Sequence, residues 1–328
     1  MSDKPSTPSS LVTAILTFTA LVAFAANSVL SRMALSGGDA SLIDPDSFTL
    51  IRLLAGAITL WFIVGCMHFY QENPVKSLDP SSSFKPSSPW LHQFNKWRKW
   101  CGAFSLLAYA WLFSIAYQSL DTATGALVLF GAVQLSMNIA AIIQGQKPSI
   151  VEVVGSVIAF TGLGYLLWPN IGTPQYWSMI LMVLSGVAWG MYSLLGRQSL
   201  FPVLDSAHYF SRSVGLMLAG LMVLSLAMNI DSVQLTLSNM LQSEHYGGVV
   251  LAIISGALTS GIGYAIWYKA LTGLTPSKAA ALQLSVPFIA AIGGVIFNHE
   301  TLSLHLISSG AIILSGISMV LIARNKSC

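Results

Sequence analysis

Two amides, Gln134 and Asn138, lie four residues apart in the apolar run 122–144 and share one face of a helix. A primary amide both donates and accepts hydrogen bonds. The pair suits contact with a polar solute, or an interhelical bond worth about 0.6 to 2 kcal/mol. A third amide, Gln283, precedes Pro287 by about one turn in the run 277–298. A proline there removes a backbone donor and leaves a carbonyl free, so this stretch is a candidate site or hinge, or a packing kink. Trp189 and Tyr192 follow Gly186 in a G-x-x-x-G segment, and Tyr264, Trp267 and Tyr268 cluster in 248–270. Together these rings offer an aromatic wall for a largely apolar or planar solute, although they equally fit a lipid-facing or core role. Asn27, between Phe24 and Ser28 in the run 11–32, completes the candidate cavity groups. Arg52 and Arg212 each sit about five residues past a helix start. Snorkelling to headgroups or a structural gate is the favoured reading for both, ahead of bidentate binding of a substrate carboxylate. Pro287 joins them as a gate or structural residue.

Some chemistry is missing. All twelve Asp and Glu residues fall at the ends of apolar runs or in connections, and so do the six His residues. Proton-coupled carriers commonly relay through intramembrane carboxylates or histidines, so a facilitator or exchanger is expected, or coupling through some other group. Cys66, Cys101 and Cys328 are too dispersed for a disulfide framework or a metal cluster. No H-E-x-x-H, G-x-S-x-G or P-loop pattern occurs, and no aspartates are paired within helices. Neither a cofactor, a metal nor an enzymatic activity is expected.

The elements that must position these groups follow from composition. Of 328 residues, 54% are hydrophobic and 8% charged, and mean hydropathy is +0.71. Soluble domains carry about 25% charged residues, so the chain is expected to be an all-α polytopic membrane protein. Ten apolar runs of spanning length are expected at 11–32, 47–69, 101–120, 122–144, 150–168, 176–196, 206–228, 248–270, 277–298 and 303–323. The first resembles a signal peptide in having Lys4 before it and Ala23-Phe24-Ala25 near its end, but it runs on apolar to Leu30 and is read as a span. Residues 71–100, rich in Ser and Pro and ending in Asn95-Lys-Trp-Arg-Lys-Trp100, read as a flexible insert closing on an interfacial anchor.

Placing the N-terminus inside collects Lys76, Lys85, Lys96, Arg98, Lys99, Lys147, Arg197, Lys269, Lys278, Arg324 and Lys326 on the cytoplasmic side. The opposite connections hold Asp39, Asp44, Asp46, Asp121, Asp231, Glu244 and Glu300, with Arg32 the one cation near them. The bias orients both tails, 1–10 and 324–328, to the cytoplasm. The membrane is expected to be the cell (inner or plasma) membrane.

The chain also repeats itself. Phe24-Ala-Ala-Asn27-Ser28-Val-Leu30-Ser-Arg32 matches Trp189-Gly-Met-Tyr192-Ser193-Leu-Leu195-Gly-Arg197, and Tyr117…Leu120 matches Tyr268…Leu271. Two five-helix units, 11–168 and 176–323, follow, and an odd number of spans inverts the second copy. The second hairpin, Tyr264…Tyr268-Lys-Ala-Leu271…Ala279-Ala-Ala-Leu282…Pro287…Glu300, resembles the Y-x-A-L…A-x-x-L…P…G-E pattern of EamA-type members of the drug/metabolite transporter superfamily. In the first repeat Val133 replaces the Pro and Gln146 the Glu. The resemblance implies a central substrate cavity lined by both repeats and carriage of metabolites such as amino acids, nucleotide sugars or drugs. The expected activity is secondary transport of small organic metabolites, amino acids or related compounds, with export expected. Its partners would be a small-molecule substrate and membrane lipids, not nucleic acid, acting as a monomer or homodimer. A membrane-embedded enzyme, or a structural or sensory membrane protein, is the alternative.

Overall fold

The computed structural model describes residues 10–37, 41–70, 89–143, 149–168, 174–197, 199, 201–228, 246–274, 279 and 282–326. Among the described residues the chain is all helix. In order these are α1 (Ser10–Leu35), α2 (Pro45–Tyr70), α3 (Pro89–Ala116), α4 (Thr122–Ile143), α5 (Ile150–Leu167), α6 (Pro174–Arg197), α7 (Pro202–Met228), α8 (Tyr246–Leu271), α9 (Val286–Phe297) and α10 (Leu304–Lys326). Local sequence sets many of the starts. Proline opens α2, α3, α6 and α7, where its missing N–H costs nothing because that donor has no intrahelical partner. Asp44 Oδ1 accepts from the backbone N–H of Ser47 at 2.9 Å ahead of α2. Ser149 and Glu152 form a reciprocal capping box at α5.

Among the described residues seven helices are long and apolar enough to cross a membrane, while Ile150–Leu166, Val286–Phe297 and Leu304–Val320 are shorter apolar stretches. The expectation of ten full-length spans is thus met in seven. The shortfall in α9 has a direct cause. The expected helix 277–298 is interrupted by a turn at Leu284–Ser285, and its regular part starts at Val286 with Pro287 in the first turn. Proline cannot donate to the carbonyl four residues back and disfavours helical geometry in the residue before it, so it begins a helix here rather than kinking one. α3 differs in the other direction. It is helical from Pro89, twelve residues ahead of the expected start, because Trp90, Phe94, Trp97 and Cys101 recur at helical spacing. The rest of the expected insert, 71–88, lies outside the described residues.

Apolar side chains cover both the interior and the rim. Phe48, Phe113, Tyr117, Tyr209 and Phe210 are buried, whereas Ile58, Phe62, Phe104, Val223 and Leu226 are each more than 60% exposed. A protein that exposes this much large apolar surface faces hydrocarbon rather than water.

The principal helix contacts are α1 with α8 and α9, α2 with α7 and α8, α3 with α6 and α7, α4 with α6 and α9, and α5 with α10. Exchanging each of the first five helices for its counterpart five later returns the same set of pairs. Glycine permits the closest of these contacts. A Cβ on Gly186 would meet Ala132 Cβ and the Leu129 carbonyl oxygen, each at 2.7 Å, so the G-x-x-x-G face of α6 packs on α4.

α8 contains the one large departure from regular geometry among the described residues. Ser255–Ile262 is π-helical, between Tyr246–Ile254 and Gly263–Leu271. The N–H of Gly263 reaches back five residues to the carbonyl of Leu258. Such wide turns in α-helices frequently mark functional sites. This one presses Gly256 onto the Arg52 carbonyl and Gly261 onto Thr59 of α2.

Candidate functional site

A cavity of about 410 Å³ lies among α1, α4, α6, α8 and the segment entering α9. Gln134, Trp189, Tyr192, Tyr264, Trp267 and Gln283 line it. Thus six of the eight candidate cavity residues are brought together, from positions 149 residues apart at the extremes. Phe24, Ser193 and Tyr268 line it as well, and the lining continues to Ser199, Pro202, Thr272 and Leu274 in the connections at one end. Asn138 is buried but is not part of this lining. Pro287 lines a different and larger apolar groove of about 760 Å³, bounded by α4, α9 and α10.

The cavity's deep end is an aromatic layer. Trp189 packs 4.7 Å from Tyr109, 5.1 Å from Tyr192 and 5.1 Å from Tyr264, centroid to centroid. Phe24 meets Tyr264 and Trp267 edge-on at 5.9 and 5.7 Å. Edge-to-face and tilted contacts of this kind add about 0.5–1.5 kcal/mol each beyond burial. Tyr192 is anchored by a 2.9 Å hydrogen bond with Ser206.

Behind that layer lies a polar network that joins α1, α2, α3 and the π segment. Asn27 Oδ1 accepts from Ser255 Oγ at 2.7 Å and Thr259 Oγ1 at 3.3 Å, and Asn27 Nδ2 donates to Tyr109 OH at 3.4 Å. Arg52 Nη2 donates to the same Tyr109 oxygen at 2.9 Å, and its Nε to Ser260 Oγ at 3.3 Å. The guanidinium carbon sits 5.2 and 5.1 Å from the rings of Tyr109 and Phe113. Arg52 is only 2% exposed, so the expected snorkelling does not occur. Tyr109 and Ser260 hold its head inside the bundle. Arg212 behaves differently. It is half-buried and lies 5.5 Å from the ring of Trp100 on α3.

The other end of the bundle is tied shut by charge. Arg32, near the end of α1, pairs with Glu300 at 3.5 Å and Asp121 at 3.3 Å. Its Nη1 also donates to the carbonyls of Tyr117 and Gln118, each at 3.2 Å. Both oxygens of the Glu300 carboxylate accept from the backbone N–H of Thr122, at 2.8 and 2.9 Å, and Oε1 accepts from Thr122 Oγ1 at 2.8 Å. Thr122 is the first residue of α4. A carboxylate there meets an unpaired amide and the positive end of the helix dipole. The turn that delivers it is unusual. His299 has φ 54°, a left-handed value uncommon outside glycine, and the N–H of Glu300 returns to the Gly294 carbonyl at 3.1 Å. Asn298 Nδ2 donates to Thr122 Oγ1 at 2.8 Å from the same turn.

Residues 176–322 match the EamA-like transporter family. A Pseudomonas aeruginosa protein, uncharacterized protein PA1977, is 38% identical over 312 residues, which span 95% of each chain. The chain belongs to the EamA-like transporter family. A Bacillus subtilis protein called uncharacterized transporter YoaV is 22% identical over 177 residues, 53% of this chain and 58% of its own. One solved crystal structure superposes with a TM-score of 0.58 over 95% of this chain and 98% of its own, at 16% identity, a likeness of fold alone. Membership of the EamA-like family, with the apolar helices and their exposed apolar rim, makes this a multi-pass membrane protein. It points to a drug or metabolite transporter rather than an enzyme.

The groups that the sequence did not flag are Tyr109, Ser255, Thr259 and Ser260, together with the use of Thr122 as an anchor. Serine and threonine in apolar helices commonly bond their own preceding turn, as Thr259 also does to the Ser255 carbonyl at 2.6 Å. Their type alone therefore carries no signal of a site.

Proposed function

We propose that the protein is a secondary carrier of small organic metabolites, amino acids or related compounds, which it exports across the cytoplasmic membrane. It works by alternating access between two inverted five-helix repeats, with both termini cytoplasmic. One observation carries this reading. The 410 Å³ cavity reaches Ser199 and Pro202 on one side and Thr272 and Leu274 on the other, all at one end, while the opposite end is closed by Arg32, Asp121, Thr122 and Glu300. A site accessible from one side and sealed on the other is one of the two states alternating access requires. The contact pairs that survive exchange of the two halves support the repeat, and the Lys/Arg bias supports the orientation. The solute and lipids are the partners in this reading, and the functional unit is a monomer or homodimer.

Among the described residues, the carboxylates Asp44, Asp46, Asp121, Glu152, Asp205 and Glu300 all sit at helix ends or in connections. That placement supports exchange or facilitated transport over a carboxylate proton relay. Purified protein in liposomes preloaded with unlabelled amino acids and related metabolites is expected to accumulate the matching labelled solute by counterflow. Failure of every solute in the panel to exchange, with the protein correctly inserted, refutes the carrier. Uptake driven strongly by a pH gradient alone refutes the uncoupled mode.

A further inference from the structure

Arg52 carries a positive charge in the middle of the bundle, and among the described residues nothing negative answers it. The ion pairs found there both belong to Arg32. The groups around Arg52 are neutral hydroxyls, those of Tyr109, Ser260 and the adjacent Tyr264, and two aromatic faces. Its Nη1 is buried without any hydrogen-bond partner. Guanidinium does not deprotonate in proteins, so it cannot escape the cost of burial by becoming neutral, as a lysine can. Removing hydrogen-bonding capacity from a buried charged group is costly, and a membrane interior keeps such groups mainly where they act.

The surroundings are those of an anion receptor. Asn27 spends its oxygen on Ser255 and Thr259 and presents its N–H toward Tyr109. The Tyr109 oxygen thus accepts from both Asn27 and Arg52. A small void of about 20 Å³, lined by Asn27, Ser28, Tyr109, Phe113 and Ser260, adjoins the groups that hold Arg52, which is not itself part of the lining. It is separated from the 410 Å³ cavity by Phe24, Trp189 and Tyr264, which line both. Those three rings belong to the layer on which a solute would lie.

We infer that Arg52 is the anchor for the carboxylate of a monoanionic solute whose flat, apolar body stacks on the Phe24–Trp189–Tyr264 layer. The inference rests on the carrier reading and names the solute class for that cavity. When the rings part, the carboxylate meets Nη1 and replaces Tyr109 or Ser260 on a second nitrogen, giving the fork-to-fork pair that guanidinium favours. A single guanidinium balances one negative charge, which selects a carboxylate over a phosphate dianion. The glycines that bring the π segment against α2 fix Ser260 where it holds Nε until then.

Three probes of one shape separate charge from body: phenylacetate, phenylacetamide and phenethylamine. Binding is measured on the purified full-length protein by intrinsic tryptophan fluorescence and by thermal shift. Phenylacetate is expected to bind at least tenfold more tightly than phenylacetamide, with phenethylamine weakest. Arg52→Gln is expected to abolish the preference for the anion over the amide, and Arg52→Lys to retain part of it. Should Arg52→Gln fail to fold, the wild-type probe series still decides. Equal binding of amide and carboxylate, no binding of phenylacetate, or a preference that survives in Arg52→Gln overturns the anchor. Counterflow of other solutes alongside such a failure leaves the carrier standing. Phenylacetate binding without counterflow of any solute would sink the carrier and keep the anion site.

Discussion

Replacing Glu300 with Gln tests the closed end directly. The carboxylate accepts from both Thr122 donors and pairs with Arg32, with 8% of its side chain and 19% of Arg32's exposed. So little exposure leaves the pair weakly screened. Gln keeps the shape and one acceptor oxygen, but it loses the charge and turns an NH₂ toward a backbone N–H. Losing one charge-assisted bond and the pairing costs about 2–3 kcal/mol, or roughly 30- to 150-fold in the open–closed equilibrium. The reporter is Ser28→Cys, 1% exposed in the wild-type fold, in a background with Cys66, Cys101 and Cys328 replaced by Ser. A membrane-impermeant maleimide is added from the Arg32 side. Its labelling rate is expected to rise at least tenfold in Glu300→Gln. Arg32→Gln should give a similar rise, and the double variant less than the product of the two, because the residues share one contact. An unchanged rate in Glu300→Gln would show that the network does not hold this end closed.

Four further outcomes follow from neighbouring geometry. Gly294→Ala sets a methyl against the Glu300 carboxylate and 3.0 Å from Thr122 Cβ, so it should raise the same labelling rate without any change of charge. Asn27→Ala removes the acceptor of the buried Ser255 hydroxyl, whereas Thr259 keeps the Ser255 carbonyl; a loss of about 1–3 kcal/mol should lower the thermal transition in detergent. Trp189→Ala and Gln283→Ala should impair counterflow while elution on size exclusion stays that of the folded protein, and wild-type transport by both would remove them from the site. Gly186→Val forces α6 off α4 at a 2.7 Å approach, an overpacking cost of about 1–3 kcal/mol visible as a lower melting temperature.

Much of the cavity was legible because its groups are unusual where they sit. Amides and aromatic clusters stand out in apolar runs, and Gln134, Trp189, Tyr192, Tyr264, Trp267 and Gln283 fall on one lining. Arg52 stands out in the sequence as a residue, but its buried environment does not. Its distance from the helix start suggested an interfacial position, whereas Tyr109 and Ser260 draw it inward from helices 57 and 208 residues away in sequence. The π segment has no signature in a period of 3.6, since its wider turn changes which residues share a face only after it has formed. Pro287 reads from sequence as an interior proline, a site or hinge or a packing kink within one helix, because the run 277–298 is apolar throughout. The turn at Leu284–Ser285 makes it a start instead. The contact of Glu300 with Thr122 spans 178 positions, and neither residue type announces the other.

The α5–α10 pair bears on how the whole bundle moves. A Cβ on Gly155 would strike the Gly316 carbonyl oxygen at 2.6 Å, and one on Gly316 would strike the Gly155 carbonyl oxygen at 2.5 Å, so the two backbones rest directly on each other. Side chains can swing to let helices slide, but bare backbone cannot. This seam therefore behaves as a keel, last in one half of the chain and last in the other. In the proposed carrier, rearrangement would fall to the helices that line the cavity, with this seam holding the two halves in register.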